Sequence, residues 1–365
     1  MKIALLGDMA FFGRMSVNEN PRTDEYFSEV ADYLKGFDYV VGNLETPFSE
    51  KKKTFGAKSA YICADVENVR TLKQLHVNAV CLANNHMFDY GTEGYETTKR
   101  VLGENGIEFF GVEGKELRVE VNGCKVAFSG FCCYTSNPLK CVRYGEYGVN
   151  AYNIEKVRQV LKHNANEGYL IIVAVHAGME HVNYPSIEHV RASRLLAEVC
   201  PYVYYGHHPH VIQGFEEYKG AVIAHSLGNF CFDDVYSDKS SKPLVELTEN
   251  NRTGAILELE VGGNKILNWR EQIVYIAKDE RMKLIETPAE VTEYNGALAT
   301  CEGDSVAYTS KRNQILSARF SERKSARNLM WYMKRLRPRY VQIMLNARKN
   351  AKKYNENVLK YIQND

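Results

Sequence analysis

The 365-residue chain lacks any apolar run approaching the roughly 18–20 residues of a membrane-spanning helix, so the sequence gives no case for a transmembrane segment. No secretory leader is expected at its start either. The one Lys and short apolar stretch of Met1–Leu6 run straight into Gly7-Asp8, short of an h-region of about 7–15 apolar residues, and the cytoplasm is the expected compartment. Cysteine is present nine times (63, 81, 124, 132, 133, 141, 200, 231, 301), but the count is odd, no C-x-x-C spacing occurs and most lie in apolar runs. Reduced core thiols are expected rather than a disulfide framework. There is no G-x-S-x-G, no Gly-rich phosphate loop, no internal repeat and no low-complexity tract, which removes serine-hydrolase and P-loop chemistry from consideration.

What remains is an ordinary globular composition, 45% apolar and 25% charged, with an uneven charge distribution. From Lys311 to Asp365 there are 15 Lys and Arg against 3 Asp and Glu, a net of +12, which leaves 31 against 42, or −11, for the rest. The C-terminal fifth is electrostatically a different object from the body.

Eight short apolar runs recur along the body: Lys2–Leu6, Tyr39–Val41, Ala79–Leu82, Lys125–Phe131, Tyr169–Val175, Tyr202–Tyr205, Val222–His225 and Ala255–Val261. They are continuous rather than alternating, which predicts strands buried on both faces, and the stretches between them carry helical spacing at 24–35, 92–104, 154–164 and 186–199. That alternation predicts an α/β fold over residues 1–278, with hairpins turning at Asn122-Gly123 and Gly262-Gly263. The polar stretch Asp233–Arg252 predicts a long loop, either a lid or substrate contact or a disordered segment. Residues 279–365 read as a basic, mostly helical extension, started or broken at Pro338, with Tyr340, Met344, Ala347, Ala351, Tyr354, Val358 and Ile362 on one side. Such a helix packs back on the acidic body, or else contacts a membrane surface or a protein partner.

Candidate ligands gather where these strands end, the edge at which open α/β sheets place their sites. Asp8 follows the first run, Asn43 and Glu45 the second, and Asn84-Asn85-His86 with Asp89 the third. His176 ends the fifth, with Glu180 close behind it, His208-Pro209-His210 follows the sixth, and Ser226–Phe230 brings Asn229. Taken singly each is explained as a cap or a core polar group. Their repetition at strand ends in one chain is not. A mixed His, Asn and carboxylate set without Cys suits Mn, Fe, Zn or Mg, one or two ions per chain, and such a site clamps a phosphoryl group.

The ordered segments Gly7-Asp8, Gly42-Asn43-Leu44-Glu45-Thr46-Pro47, Ala83–Gly91, His176-x-Gly178-x-Glu180, Gly206–His210 and Ser226–Phe230 resemble the capsule-synthesis protein CapA family, within the calcineurin-like metallophosphoesterase superfamily. The resemblance covers about residues 1–275. It implies a four-layer αββα sandwich with a dinuclear centre, with Asp8, Glu45, Asn85, His176, His208 and His210 as metal ligands. His86, as the acid, Asp89 and Asn43 are then the expected catalytic residues, and Asn84, Glu180 and Asn229 the expected substrate contacts. Two departures stand out. The first motif's partner His is replaced by Ala10, and Glu45 or Asn43 stands where a bridging Asp usually lies, which removes a nitrogen ligand and lengthens or neutralises the bridge. The implied activity is phosphoester hydrolysis tied to capsule, poly-γ-glutamate or cell-surface polymer synthesis on a phosphorylated or anionic polymer. The alternatives are a non-hydrolytic accessory that binds such a polymer, and a metal-dependent nuclease or phosphodiesterase. Nucleic acid is the less expected partner, because the tail's aromatics (Trp331, Tyr332, Tyr340, Tyr354, Tyr361) fall largely at helical core spacing rather than as a stacking platform.

Overall fold

Each of the eight apolar runs forms a strand, and the strands divide between two sheets. The computed structural model describes residues 1–50, 53–237, 240–278, 281–325 and 338–363, so Trp331 and Tyr332 lie outside it. Chain order begins with β1 (Lys2–Met9), α1 (Thr23–Tyr26), α2 (Ser28–Leu34), β2 (Tyr39–Leu44), α3 (Val69–Gln74), β3 (Ala79–Cys81), α4 (Gly91–Glu104) and β4 (Glu108–Phe110). A hairpin of β5 (Leu117–Val121) and β6 (Cys124–Cys132) turns at Asn122-Gly123, both at positive φ. After the short β7 (Cys141–Val142) and β8 (Val149–Asn150) come α5 (Ile154–Asn166), β9 (Leu170–His176), α6 (Ile187–Ala197) and β10 (Val203–His207). Then follow β11 (Phe215–Tyr218), β12 (Ala221–Ala224) and β13 (Asn229–Cys231).

The polar segment Asp233–Arg252 is not a structureless loop. It pairs β14 (Val235–Ser237) with β15 (Ser240–Val245) and closes in α7 (Glu249–Arg252), capped by the reciprocal Thr248–Asn251 pair. The body ends with the hairpin β16 (Thr253–Gly262) and β17 (Lys265–Tyr275) and the edge strand β18 (Lys283–Ile285). Helices α8 (Ala289–Thr300), α9 (Ser305–Ser325) and α10 (Pro338–Tyr354) complete the described chain, with a last turn reaching Ile362. Among the described residues no helix is long and apolar enough to cross a membrane.

The first sheet runs β18-β17-β16-β1-β2-β3-β4, with β13 also on β1, and the second runs β11-β12-β10-β9-β6-β5. Their inner faces share one core, in which Ile3, Leu5, Val41 and Leu257 meet Val126, Phe128, Ile172 and Tyr205. The outer face of the second sheet packs Ile171, Val173 and Tyr204 against α5 and α6, and the fully buried Val358 of the C-terminal segment joins that cluster. The layers are therefore helix, sheet, sheet, helix. The nine cysteines form no disulfide and seven are buried. Tyr205 crosses the sandwich, its hydroxyl donating to the carbonyls of Leu6 and Val41 in the facing sheet. That bond fixes the two strand ends that carry the site.

Candidate metal centre

Strand register sets the candidate ligands side by side. In the first sheet Asp8 is opposite Asn43 on one side and Asn229 on the other, and in the second His176 is opposite His207. The chain then leaves β10 through a tight passage. A Cβ on Gly206 would fall 1.9 Å from the carbonyl oxygen of His225, so only glycine fits. His208 and His210 follow with φ of 94° and 57°, left-handed conformations that cost a non-glycine residue of order 1–3 kcal/mol each. They are held by the His208 amide donating to Asp8 Oδ2 (3.1 Å) and by the contact of His210 Nδ1 with Asn229 Oδ1 (2.8 Å). The strain aims both rings inward.

At the centre Asp8, Glu45 and His210 each offer a ligand atom, all within 4.8 Å of one another. Glu45 is fully buried, and among the described residues neither of its oxygens has a hydrogen-bond partner. Its Oε1 lies 3.7 Å from His210 Nε2 and 3.9 Å from the Nε2 atoms of His86 and His176. Around it three more imidazole nitrogens are, among the described residues, buried without partners: Nδ1 of His176, Nε2 of His207 and Nδ1 of His208. Burial pushes the Glu45 carboxyl up to about 8, with the Asp8 charge adding to it against the pull of His210. Burial works on Asp8 in the same sense, yet the hydrogen bond and charge of His207, with His210 and Asn43, hold its carboxyl below the usual range. Burial likewise pushes His176 well down and His208 down to about 3, so both rest as neutral imidazoles able to bind a cation. His210 is raised, because Glu45 and then Asp8 outweigh its burial. A buried, unpartnered Glu45 carboxyl beside the neutral imidazoles of His176 and His208 could hold a metal, and the donors fit a divalent ion.

Beside this group stands a second cluster of titratable side chains. His86 Nδ1 lies 2.6 Å from Asp89 Oδ2, which places the ring proton there and leaves Nε2 toward Glu45 as an acceptor. Lys58 closes the group, its Nζ 2.6 Å from Asp89 Oδ1, 2.8 Å from the Asn85 carbonyl oxygen and 3.1 Å from His86 Nδ1. Burial and then the Lys58 charge lower His86, while Lys58, then His86, hold Asp89 low against its own burial. His86 therefore rests neutral and could donate a proton from Nε2 only after gaining one there.

The residues predicted from sequence come together, but three sit deeper than their expected roles. Asn43 donates Nδ2 to Asp8 Oδ1 (2.8 Å), so its amide orients a ligand instead of facing the cleft. Asn84 is fully buried, spending its amide on the Leu44 carbonyl (2.8 Å) and on the His86 N–H (3.1 Å). Asn229 lies behind His210 and donates to the Asn251 carbonyl (3.0 Å). Each has its polar atoms engaged by the scaffold. Asn85 Oδ1 is 2.9 Å from His176 Nε2, at the ligand group, and Glu180 lines the cleft beside His86 and His208. Two further neighbours of the candidate site escape a motif reading. Lys58 sits in a Gly-Ala loop with no spacing signal, and His207 was traceable only as the inward i+2 neighbour of Tyr205 on β10, bringing Nδ1 within 3.0 Å of Asp8. At Ala10 the chain offers no donor side chain.

The CapA capsule biosynthesis protein of Bacillus anthracis is 32% identical over 252 residues, 65% of this chain and 61% of that protein. The PGA biosynthesis protein CapA of Bacillus subtilis is 28% identical over 265 residues, 70% of this chain and 69% of that protein. The match thus spans less than two thirds of the anthrax protein's length. Among solved structures, a putative 5'-nucleotidase of Staphylococcus aureus superposes with a TM-score of 0.44 at 11% identity, covering 82% of this chain and 58% of that one. The profile of the bacterial capsule synthesis protein family PGA_cap matches residues 2–234, well over half of the sequence and all of the strand ends described above, and the chain belongs to that family.

Proposed function

We propose that the chain is a metal-dependent phosphoester hydrolase working in the assembly of a bacterial capsule polymer. The observation that carries this reading is Glu45, a fully buried carboxylate with both oxygens unpartnered, facing three imidazoles. Left alone such a group costs several kcal/mol, on the order of the penalty for burying unpaired polar atoms. Asp8, Glu45, Asn85, His176, His208 and His210 are the residues that would hold the ion. A divalent ion bound there supplies positive charge to phosphoryl oxygens and acidifies water. The chain's own part is the proton: His86, oriented by Asp89, takes one up at Nε2 and returns it to the leaving oxygen. Asn43 and Asn229 keep Asp8 and His210 in place. Family membership, with relatives named for capsule and PGA biosynthesis, supports the biological setting.

The test uses Mn²⁺-loaded protein with p-nitrophenyl phosphate and bis(p-nitrophenyl) phosphate. Glu45→Gln should lower metal content and reduce kcat at least roughly a hundredfold. The metal-free variant should melt like the metal-free parent, because glutamine copies a protonated, buried glutamate. Fully metal-loaded parent protein that turns over neither ester would overturn the reading.

A further inference from the structure

The C-terminal helices are fixed at their two ends and only lightly seated between. Near the start of α9, Tyr308 is buried among Tyr184, Leu298 and Cys301, and its hydroxyl donates to the Pro185 carbonyl (2.9 Å). Beyond α10, Val358 is fully buried in the outer cluster of the second sheet, and the Asn153 amide donates to the side-chain oxygen of Asn357 (3.2 Å). Between Tyr308 and Val358 no described side chain is buried, and Phe320, Val341, Met344 and Leu345 stand exposed. Apolar burial therefore holds the two roots of the segment and contributes little to what lies between them.

What lies between them covers the mouth of the centre. One cavity, of about 370 Å³, has Asn85 and His86 on its floor and Ile343, Asn346 and Lys353 of α10 as its wall. A second, of about 260 Å³, reaches His208 and is walled by Leu316, Arg319 and Phe320 of α9. The helices are seated there by polar bonds to backbone carbonyls of two loops that belong to the site. Arg339 of α10 donates to the Lys58 carbonyl (2.7 Å), and Arg319 of α9 donates to that of Glu180. Lys58 pairs with the Asp89 that orients His86, and Glu180 follows His176 by four residues. Such bonds exchange with water at a small net cost, whereas the buried roots do not. The basic charge of the extension, opposite to that of the body, draws it down onto the mouth.

We propose that α9 and α10 are a strap that shuts the centre. Seated through Arg319 and Arg339 they close the way to His86 and His208, and lifting α10 with the end of α9 opens it while Tyr308 and Val358 stay anchored. The opened fraction then sets how fast anything from solution reaches the cavities. The proposal rests on the hydrolase reading only in taking what lies beneath the strap as a catalytic centre; the closure itself does not depend on it.

The chain carries its own reporter of access. Cys141 lines the larger cavity under α10 and is 7% exposed, whereas Cys81 and Cys231 lie in the core of the sandwich. Full-length protein is treated with iodoacetamide under native conditions, and the labelling rate of each thiol is read by peptide mass spectrometry. The rate at Cys141 tracks the opened fraction. Arg319→Ala/Arg339→Ala removes both charge-assisted bonds and should speed labelling of Cys141 by roughly tenfold or more, leaving Cys81 and Cys231 at the parent's rates. Arg348→Ala takes the same charge from an exposed position on α10 that lines neither cavity, and should stay within about twofold. Unchanged labelling of Cys141 in the double variant, an equal gain in Arg348→Ala, or an equal gain at Cys81 and Cys231 would overturn the proposal. Turnover enters none of these readouts. A chain that hydrolyses nothing can still bear the closure out, and an active hydrolase whose Cys141 labels at the parent's rate in every variant overturns it.

Discussion

Lys58 shows how much one residue can decide. Its ammonium is almost fully buried and pairs with an Asp89 that is completely so. Removing one partner of such a pair leaves the other charge stranded, which costs about 3–5 kcal/mol, whereas removing both is far milder. Lys58→Met should therefore lower the melting temperature markedly, and adding Asp89→Asn should recover much of the loss. A double-mutant cycle by thermal melts checks this, and additive losses would show that the two do not act as a pair. Nothing in the sequence marks Lys58, because its partners come from a loop about 30 residues away. By contrast, the His208–His210 pair was legible from the glycine before it and from its place after an apolar run. Asn43, Asn84 and Asn229 were legible as site residues but not in their orientation. Which way an amide turns depends on the carbonyl or imidazole waiting for it, and those neighbours come from other strands.

At the scale of elements, the continuous apolar runs foretold the buried strands because both faces of those strands meet hydrophobic layers. The short edge strands β4, β7, β8 and β18, and the β14–β15 hairpin, left no such mark, since an edge strand is held by neighbours more than by its own residues. The C-terminal helix was legible, but not its seat: Met344, Ala347 and Ala351 of the expected apolar side are exposed, and Ile343, Asn346 and Lys353 turn toward the body instead. That seat makes a prediction. His189 of α6 is buried against Tyr354 of α10, ring centres 5.9 Å apart, with Nε2 unpartnered among the described residues. Burial pushes it down to about 4, and Arg312 of α9 adds to this against Glu188 of its own helix. The unfolded state thus binds more protons than the folded one between about pH 6.5 and 4, so stability rises with pH across that window and falls on acidification. The loss is up to about 3 kcal/mol at the acid end. His181, also lowered to about 4, adds a similar loss. Thermal melts between pH 7 and 4.5 should show this acid limb, and His189→Phe should flatten its share of it. An unchanged limb in that variant would remove His189 as a cause.

At the scale of the whole molecule, the centre ties together layers that sequence order keeps apart. Asp8 and Glu45 come from the first sheet, and His176, His208 and His210 from the end of the second, with the Tyr205 hydroxyl, the contacts of His207 and His208 with Asp8 and apolar packing otherwise joining those strand ends. A ligand that binds the folded state alone stabilises it by RT ln(1 + [L]/Kd), about 2.7 kcal/mol at a hundred times Kd. For a chain of this length the entropy of unfolding is on the order of 0.8 kcal/mol per kelvin, so saturating Mn²⁺ should raise the melting temperature by roughly 3–4 °C over chelated protein. Since the ion would bridge both sheets, they should shift together as one transition, and either Asp8→Ala in the first sheet or His210→Ala in the second should abolish the shift. Differential scanning calorimetry with and without chelator decides it. A rise that survives both substitutions would place the ion elsewhere, and two transitions of which only one responds would show that the ligands do not bridge the sandwich.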